Sequence, residues 1–169
     1  VSYVLSRGEY DQRLDLVPAK TPEALPPMSG DFPRNRLGLA KWLLADDQPL
    51  TTRVTVNRFW LELFGRGLVN TPGDFGLSGQ PPSHPELLDY LAIQFIENGW
   101  STKKLIREIA WSRTWQLSTS FDENNFAADP DNQYLWRTHQ RRLEAEAVRD
   151  AMLAVSGNLD QRRQLGTLL

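Results

Sequence analysis

The amino-acid sequence predicts an all-α fold: about five helices in an irregular bundle, preceded by an extended, partly β N-terminal segment and crossed by a long ordered loop. Three observations carry this expectation. Apolar residues recur at three- and four-residue spacing through residues 35–44, 51–64, 85–97, 101–117 and 143–155. The stretch 14–33 holds five prolines and almost no periodicity, which predicts an extended lead-in. Residues 66–83 carry Gly67, Gly73, Gly76, Gly79, Pro72, Pro81 and Pro82 with no period at all, and loops of that length inside a compact domain are usually functional or disordered. Leu68, Val69, Phe75 and Leu77 supply apolar anchors, so order is the expectation.

The division this implies is a lead-in over 1–33, a helical domain over 34–160 and a short tail over 161–169. The chain has 169 residues, 40% of them hydrophobic and six of them tryptophan, enough to build one sizeable core. A net charge of -2 gives no global attraction to nucleic acid or to an anionic membrane, and nucleic acid is not expected as a partner. With no cysteine, neither disulfides nor thiolate metal sites can form, and no cofactor or metal is expected in this segment. No apolar run reaches the roughly 20 residues that span a bilayer as a helix. The opening Val1 without an initiator methionine reads as a piece of a longer protein.

In chain order, Val1 to Leu5 reads as a short strand, too short to stand alone; its expected partner is another chain, a short return strand or a flanking domain. Asn35 is an N-cap residue before a helix whose buried stripe is expected at Leu37, Ala40, Leu43 and Leu44. The next helix is expected to start at Thr51 or Thr52, to bury Val54, Leu61 and Phe64 with Asn57 on the same stripe, and to stop at Gly65. Ser83, His84, Pro85 and Glu86 read as a capping box, with the serine hydroxyl taking the Glu86 amide. Leu87, Leu88, Leu91, Ala92, Phe95 and Ile96 follow as a wide apolar stripe closed by Asn98 and Gly99. Ser101 caps a helix carrying Leu105, Ile106, Ile109 and Ala110 and extending through Trp111, Trp115 and Leu117. Residues 118–129 read as an irregular surface loop with Phe121 and Phe126 as anchors, and Asp129 with Pro130 as the cap of a short turn. The last helix places Leu143, Ala147, Val148, Ala151, Met152 and Val155 on one face, ending at Gly157.

These blocks, taken together, carry a resemblance. The run from Asn35 to Leu43, the segment Pro49 to Arg58, Phe64 to Val69, Asp74 to Gly76, His84 to Asp89, Gly99 to Ser101, and Arg142 to Glu146 with Arg149 to Ala151 are similar to the planctomycete PSD-type domain of unknown function, DUF fifteen-fifty-three. That resemblance covers most of the chain. It implies the C-terminal part of a large exported protein linked to a c-type cytochrome module, hence an extracytoplasmic setting. Upstream domains of the same polypeptide, or another extracytoplasmic protein, are the partners it implies. It implies no activity.

Read for chemistry, the residues favour architecture over catalysis. The two histidines, His84 and His139, stand in no metal-ligand pattern. Carboxylate pairs such as Asp74 with Glu86 or Asp89, or Glu144 with Glu146, are available for acid–base work on a sugar, but each has a structural explanation. The six tryptophans read mainly as core, and Arg137, Arg141 and Arg142 as members of a buried ion-pair network. One polar cluster stands out: Arg53, Asn57 and Arg58 on the second helix, Asp74 in the loop and His84 at the start of the third. The expectation is that Arg58 or Arg53 pairs with Asp74, that Asn57 holds loop backbone, and that His84 borders any open cleft. The leading functional expectation is a non-catalytic interaction or scaffold module of a secreted cytochrome-linked protein. The alternative is a carbohydrate-active or other hydrolytic domain with its site near Asp74 and His84.

Overall fold

The computed structural model describes residues 2–140 and 142–162 and gives a mostly helical chain. Val1, Arg141 and the 163–169 part of the expected tail lie outside the described residues. The elements are β1 (Ser2–Leu5), β2 (Arg13–Val17), α1 (Arg36–Leu43), α2 (Pro49–Phe64), α3 (Pro85–Glu97), α4 (Thr102–Trp111), α5 (Glu123–Ala128) and α6 (Ala145–Val155). The chain divides into two units, 1–138 and 139–169.

In the first unit the N-terminal strand finds its partner in a return strand. β1 and β2 pair antiparallel, with Tyr3 opposite Leu16 and Leu5 opposite Arg13. The turn between them uses Arg7 and Gly8 at φ 50° and 81°, and the Arg13 guanidinium lies 5.2 Å from the Tyr3 ring centre. Every residue of both strands is exposed.

The proline-rich lead-in then runs against α1. Trp42 Nε1 donates to the Pro26 carbonyl at 2.8 Å, and a Cβ on Gly38 would stand 1.7 Å from the Pro33 carbonyl oxygen, so only glycine admits the crossing. Asn35 caps α1 as expected, its Oδ1 accepting from the amides of Leu37 and Gly38. The buried face is not the one expected. Gly38 and Trp42 point inward, while Leu37, Leu39, Leu43 and Leu44 keep 41–59% of their surface. One large indole and a glycine contact take the inward face, and the leucines fall on the two flanks.

α2 begins earlier than Thr51, with Gln48 as N-cap and Pro49 in the first turn, where proline's missing amide costs nothing. Its buried residues are Thr52, Val56, Asn57, Trp60 and Phe64: Asn57 and Phe64 are buried as expected, whereas Val54 and Leu61 are half-buried and Thr52, Val56 and Trp60 take the inward row. The Trp60 and Phe64 rings stack 4.2 Å apart on this row, and both belong to the buried core. Gly65 ends the helix at φ 79°.

α2 packs on α3 and α3 on α4. Val56, Trp60 and Phe64 meet Leu88, Leu91 and Phe95, with Leu105 and Ile109 from α4 and Leu68 and Val69 from the loop. The α3–α4 turn places Gly99 and Trp100 at φ 68° and 59°; for a tryptophan this is strained, and packing on Phe95 at 5.3 Å holds it. α4 stops at Trp111 rather than continuing to Leu117, because the Ser112 hydroxyl bonds the Ile109 carbonyl and takes the Trp115 amide. Trp115 then meets Phe64 edge-on at 5.5 Å, whereas Trp111 is 75% exposed.

Residues 118–129, expected to be irregular, contain the short helix α5 capped by Asp122. Phe121 meets Phe126 at 5.2 Å and Trp136 at 6.3 Å, but Phe121 and Phe126 are both exposed, so neither is a buried anchor. Asp129 caps the following turn, its two carboxylate oxygens taking the amides of Gln133 and Tyr134. Arg137 lies over Trp136 and Phe121 at 4.7 and 5.5 Å in a cation–π arrangement, and among the described residues neither it nor Arg142 forms an ion pair. In the second unit, α6 runs from its N-cap Glu144 to Ser156, followed by Gly157 at φ 74°. Leu143 precedes this helix.

A candidate binding cleft at the two ends of the long loop

The loop after α2 is held by one side chain. Asn57 is fully buried, and its amide faces the backbone of Val69: Nδ2 donates to the Val69 carbonyl at 2.9 Å and Oδ1 accepts the Val69 amide at 2.8 Å. Both partners are sealed from water, so the pair satisfies four groups that would each be costly alone. Gly67 lets the backbone come this close, because a Cβ there would lie 2.5 Å from the Val69 carbonyl oxygen and 2.9 Å from Asn57 Oδ1. The expectation that Asn57 grips loop backbone is met.

The far end of the loop returns to the same place. The Leu68 carbonyl accepts from the Ser83 amide at 2.8 Å and from the Ser83 hydroxyl at 3.2 Å. Ser83 does not form the capping box, because α3 starts after His84 and the serine stands one residue ahead of the cap position; His84 itself makes no side-chain cap bond. His84 Nδ1 is 3.0 Å from Ser83 Oγ. Since that hydroxyl proton is already committed to Leu68, the network assigns the imidazole proton to Nδ1. The ring also meets Tyr134 edge-on at 6.0 Å.

Asp74 lies in the middle of the loop and serves it locally. Its Oδ1 accepts the Gly76 amide at 2.8 Å, its carbonyl accepts from the Thr71 hydroxyl, and Thr71 Oγ1 also takes the Gln80 amide. The expected arginine pairing is not formed. Arg53 bonds Asp89 of α3 at 2.6 Å and the Pro49 carbonyl at 2.6 Å, because the α2–α3 contact puts Asp89 beside it. Arg58 is exposed on the outer face of α2. The five polar residues singled out thus serve separate tasks, and only Asn57 and His84 adjoin the place where the loop ends meet.

At that place is a cleft of about 250 Å³, walled by Arg66 and Asn70 from one end of the loop, Gln80, Pro82 and Ser83 from the other, and Gln133 from the turn after α5. His84 lines a smaller hollow of about 20 Å³ beside it, with Trp60 and Leu135. Arg66 makes a long bond, 3.4 Å, to the Asp131 carbonyl. Amides and a guanidinium offer donors and acceptors without a carboxylate on the wall, a surface suited to a polar ligand. Arg66, Asn70, Gln80 and Gln133 were not among the residues singled out from the sequence. The length of 66–83 was the available signal, and it points to the loop's ends rather than to its acidic middle. Elsewhere, the Tyr90 hydroxyl donates to Glu108 at 2.9 Å, and that bond, with the carboxylate charge, holds the phenol above its usual range. Among the described residues, no group of three or more histidine, aspartate or glutamate side chains is placed to hold a metal ion.

Fold and cleft together define a small helical domain whose clamped loop builds a polar surface hollow. The chain belongs to the PSD1 family, described as protein of unknown function (DUF1553), which matches residues 35–167. No curated protein and no solved structure matches it.

Proposed function

We propose that this domain is a non-catalytic interaction module of an extracytoplasmic multidomain protein, docking against another domain of the same polypeptide or a second extracytoplasmic protein. The observation that supports it is α1. Its leucines recur at helical spacing as a core stripe does, yet Leu37, Leu39, Leu43 and Leu44 stand 41–59% exposed. Apolar side chains left in water along a helix mark contact sites. The test is chemical cross-linking of the full natural polypeptide through Lys41, which is exposed on the same helix. Lys41 should link to protein outside residues 1–169, and Leu37→Asp with Leu44→Asp should abolish the link; Lys41 linking only within the domain overturns the reading.

The polar cleft favours a second reading, a carbohydrate-contacting domain with its site at the loop ends beside His84; Asp74, bonded to Gly76 in the middle of the loop, is not on its wall. Amide side chains and an arginine around a shallow hollow suit sugar hydroxyls. Titration of oligosaccharides followed by amide NMR should shift Arg66, Asn70 and Gln133 together. Unmoved resonances at saturating sugar remove this reading.

A further inference from the structure

Between the lead-in and the start of α1 the chain walls two adjoining hollows, of about 360 and 220 Å³, which share Lys20, Thr21, Met28 and Arg34. The smaller is completed by Arg36 and Leu39, among others. Its charge is one-sided: Lys20, Arg34 and Arg36 line it with no carboxylate, while Glu23 stands in the larger hollow only. Among the described residues none of these three cations forms an ion pair. The helix end itself is occupied, because Asn35 Oδ1 already takes the Leu37 and Gly38 amides, so the attraction for an anion comes from the side chains. Its apolar lining includes Met28 and Leu39. Its walls are fixed by the Trp42–Pro26 bond and by the close crossing of Gly38 and Pro33.

We infer that the smaller hollow receives a bulky apolar side chain of an acidic peptide segment, whose flanking carboxylates pair with Lys20, Arg34 and Arg36. Its volume is below the roughly 300–1,000 Å³ of a small-molecule pocket, and matches an anchor side chain better than a whole ligand. Three cations around one apolar hollow give a local contact. The phosphate backbone of a nucleic acid calls instead for a continuous basic track, and the chain carries a net charge of -2. Guanidinium groups at the rim give two-pronged carboxylate bonds and make binding sensitive to salt. The inference rests on the interaction-module reading, since Leu39 belongs to the exposed flank of α1, and it names the chemistry of the partner.

The test uses the whole 169-residue chain and a fluorescent peptide with one central phenylalanine flanked by glutamates. The peptide should bind saturably, weaken as salt rises, and lose about tenfold in affinity with the double substitution Arg34→Gln, Arg36→Gln. Leu39→Ser should weaken it as well, and the same peptide with glutamine for glutamate, or serine for phenylalanine, should not bind. Equal binding of the glutamine peptide, full competition by inorganic phosphate alone, or affinity unchanged in the double variant would each overturn the inference. Circular dichroism of the variants establishes that they are folded; all three substituted positions are exposed. If peptide binding fails while Lys41 still cross-links outside the domain, the acidic partner is wrong and the module stands. If both fail, the module reading falls with it.

Discussion

The helices α2, α3 and α4 and the segment before α2 are built from the same apolar residue types, and they end in opposite states. In the first region Leu88, Leu91, Leu105 and Ile109 are 2–3% exposed, packed against the Trp60–Phe64 stack. In the second, the hairpin buries nothing and α1 buries only Gly38 and Trp42. Helical spacing marks a face as apolar, but burial requires a second face to meet it. α2 and α3 are long enough to provide one for each other, at 16 and 13 residues. α1, at eight residues, packs its Trp42 and Gly38 on the lead-in at Pro26 and Pro33.

The sharpest way to break this comparison is a matched pair of leucine truncations. Leu91→Ala removes a side chain 3% exposed at the centre of the cluster and should cost about 3 kcal/mol. Leu43→Ala, at 41% exposure on α1, should stay within about 0.5 kcal/mol. Urea denaturation of both variants measures the gap, and equal losses would show that α1 is part of the core.

Asn57→Ala probes whether the loop belongs to the ordered region. It strands a buried amide and a buried carbonyl at Val69, so a loss of about 2–3 kcal/mol is expected, together with faster hydrogen exchange at Val69 and Ser83. Unchanged exchange at those two amides would mean that the loop keeps its place without the clamp.

Trp42→Phe tests the attachment of the lead-in, since it keeps the ring and deletes the bond to Pro26. About 1 kcal/mol should be lost, with quicker proteolysis confined to residues 18–33. A cleavage pattern like the parent's would place the attachment elsewhere.

Asp74→Asn carries the smallest expected effect, within about 0.5 kcal/mol, because asparagine keeps the oxygen that accepts the Gly76 amide. A large loss on thermal melting would restore a charge-dependent role for this residue, and with it the arginine pairing that the structure does not show.

Much of this was readable in the sequence where the signal is local. Asn35, Ser101 and Gly65 cap or end helices as expected, because a cap depends on the few residues beside it. Asn57 was legible for a different reason: an amide on an apolar helix must find partners, and the loop next in sequence was the nearest source. Local signals failed where a distant group competed. Ser83 has the capping pattern, but its amide and hydroxyl both bond the Leu68 carbonyl and α3 starts one residue later, at Pro85; Arg53 meets Asp89 because α2 lies on α3, a contact that sequence separation conceals.

What the sequence by itself determined, then, is the all-α character, the caps at Asn35 and Ser101, the family and the long clamped loop, since each follows from spacing or from motifs within a short stretch. Tertiary structure alone decided which row of α2 turns inward, that the leucines of α1 stay in water, and that the cleft forms at the ends of the loop. Those outcomes depend on which surfaces meet: the row of α2 that turns inward carries the Trp60–Phe64 stack, and an apolar face with no opposing face remains exposed.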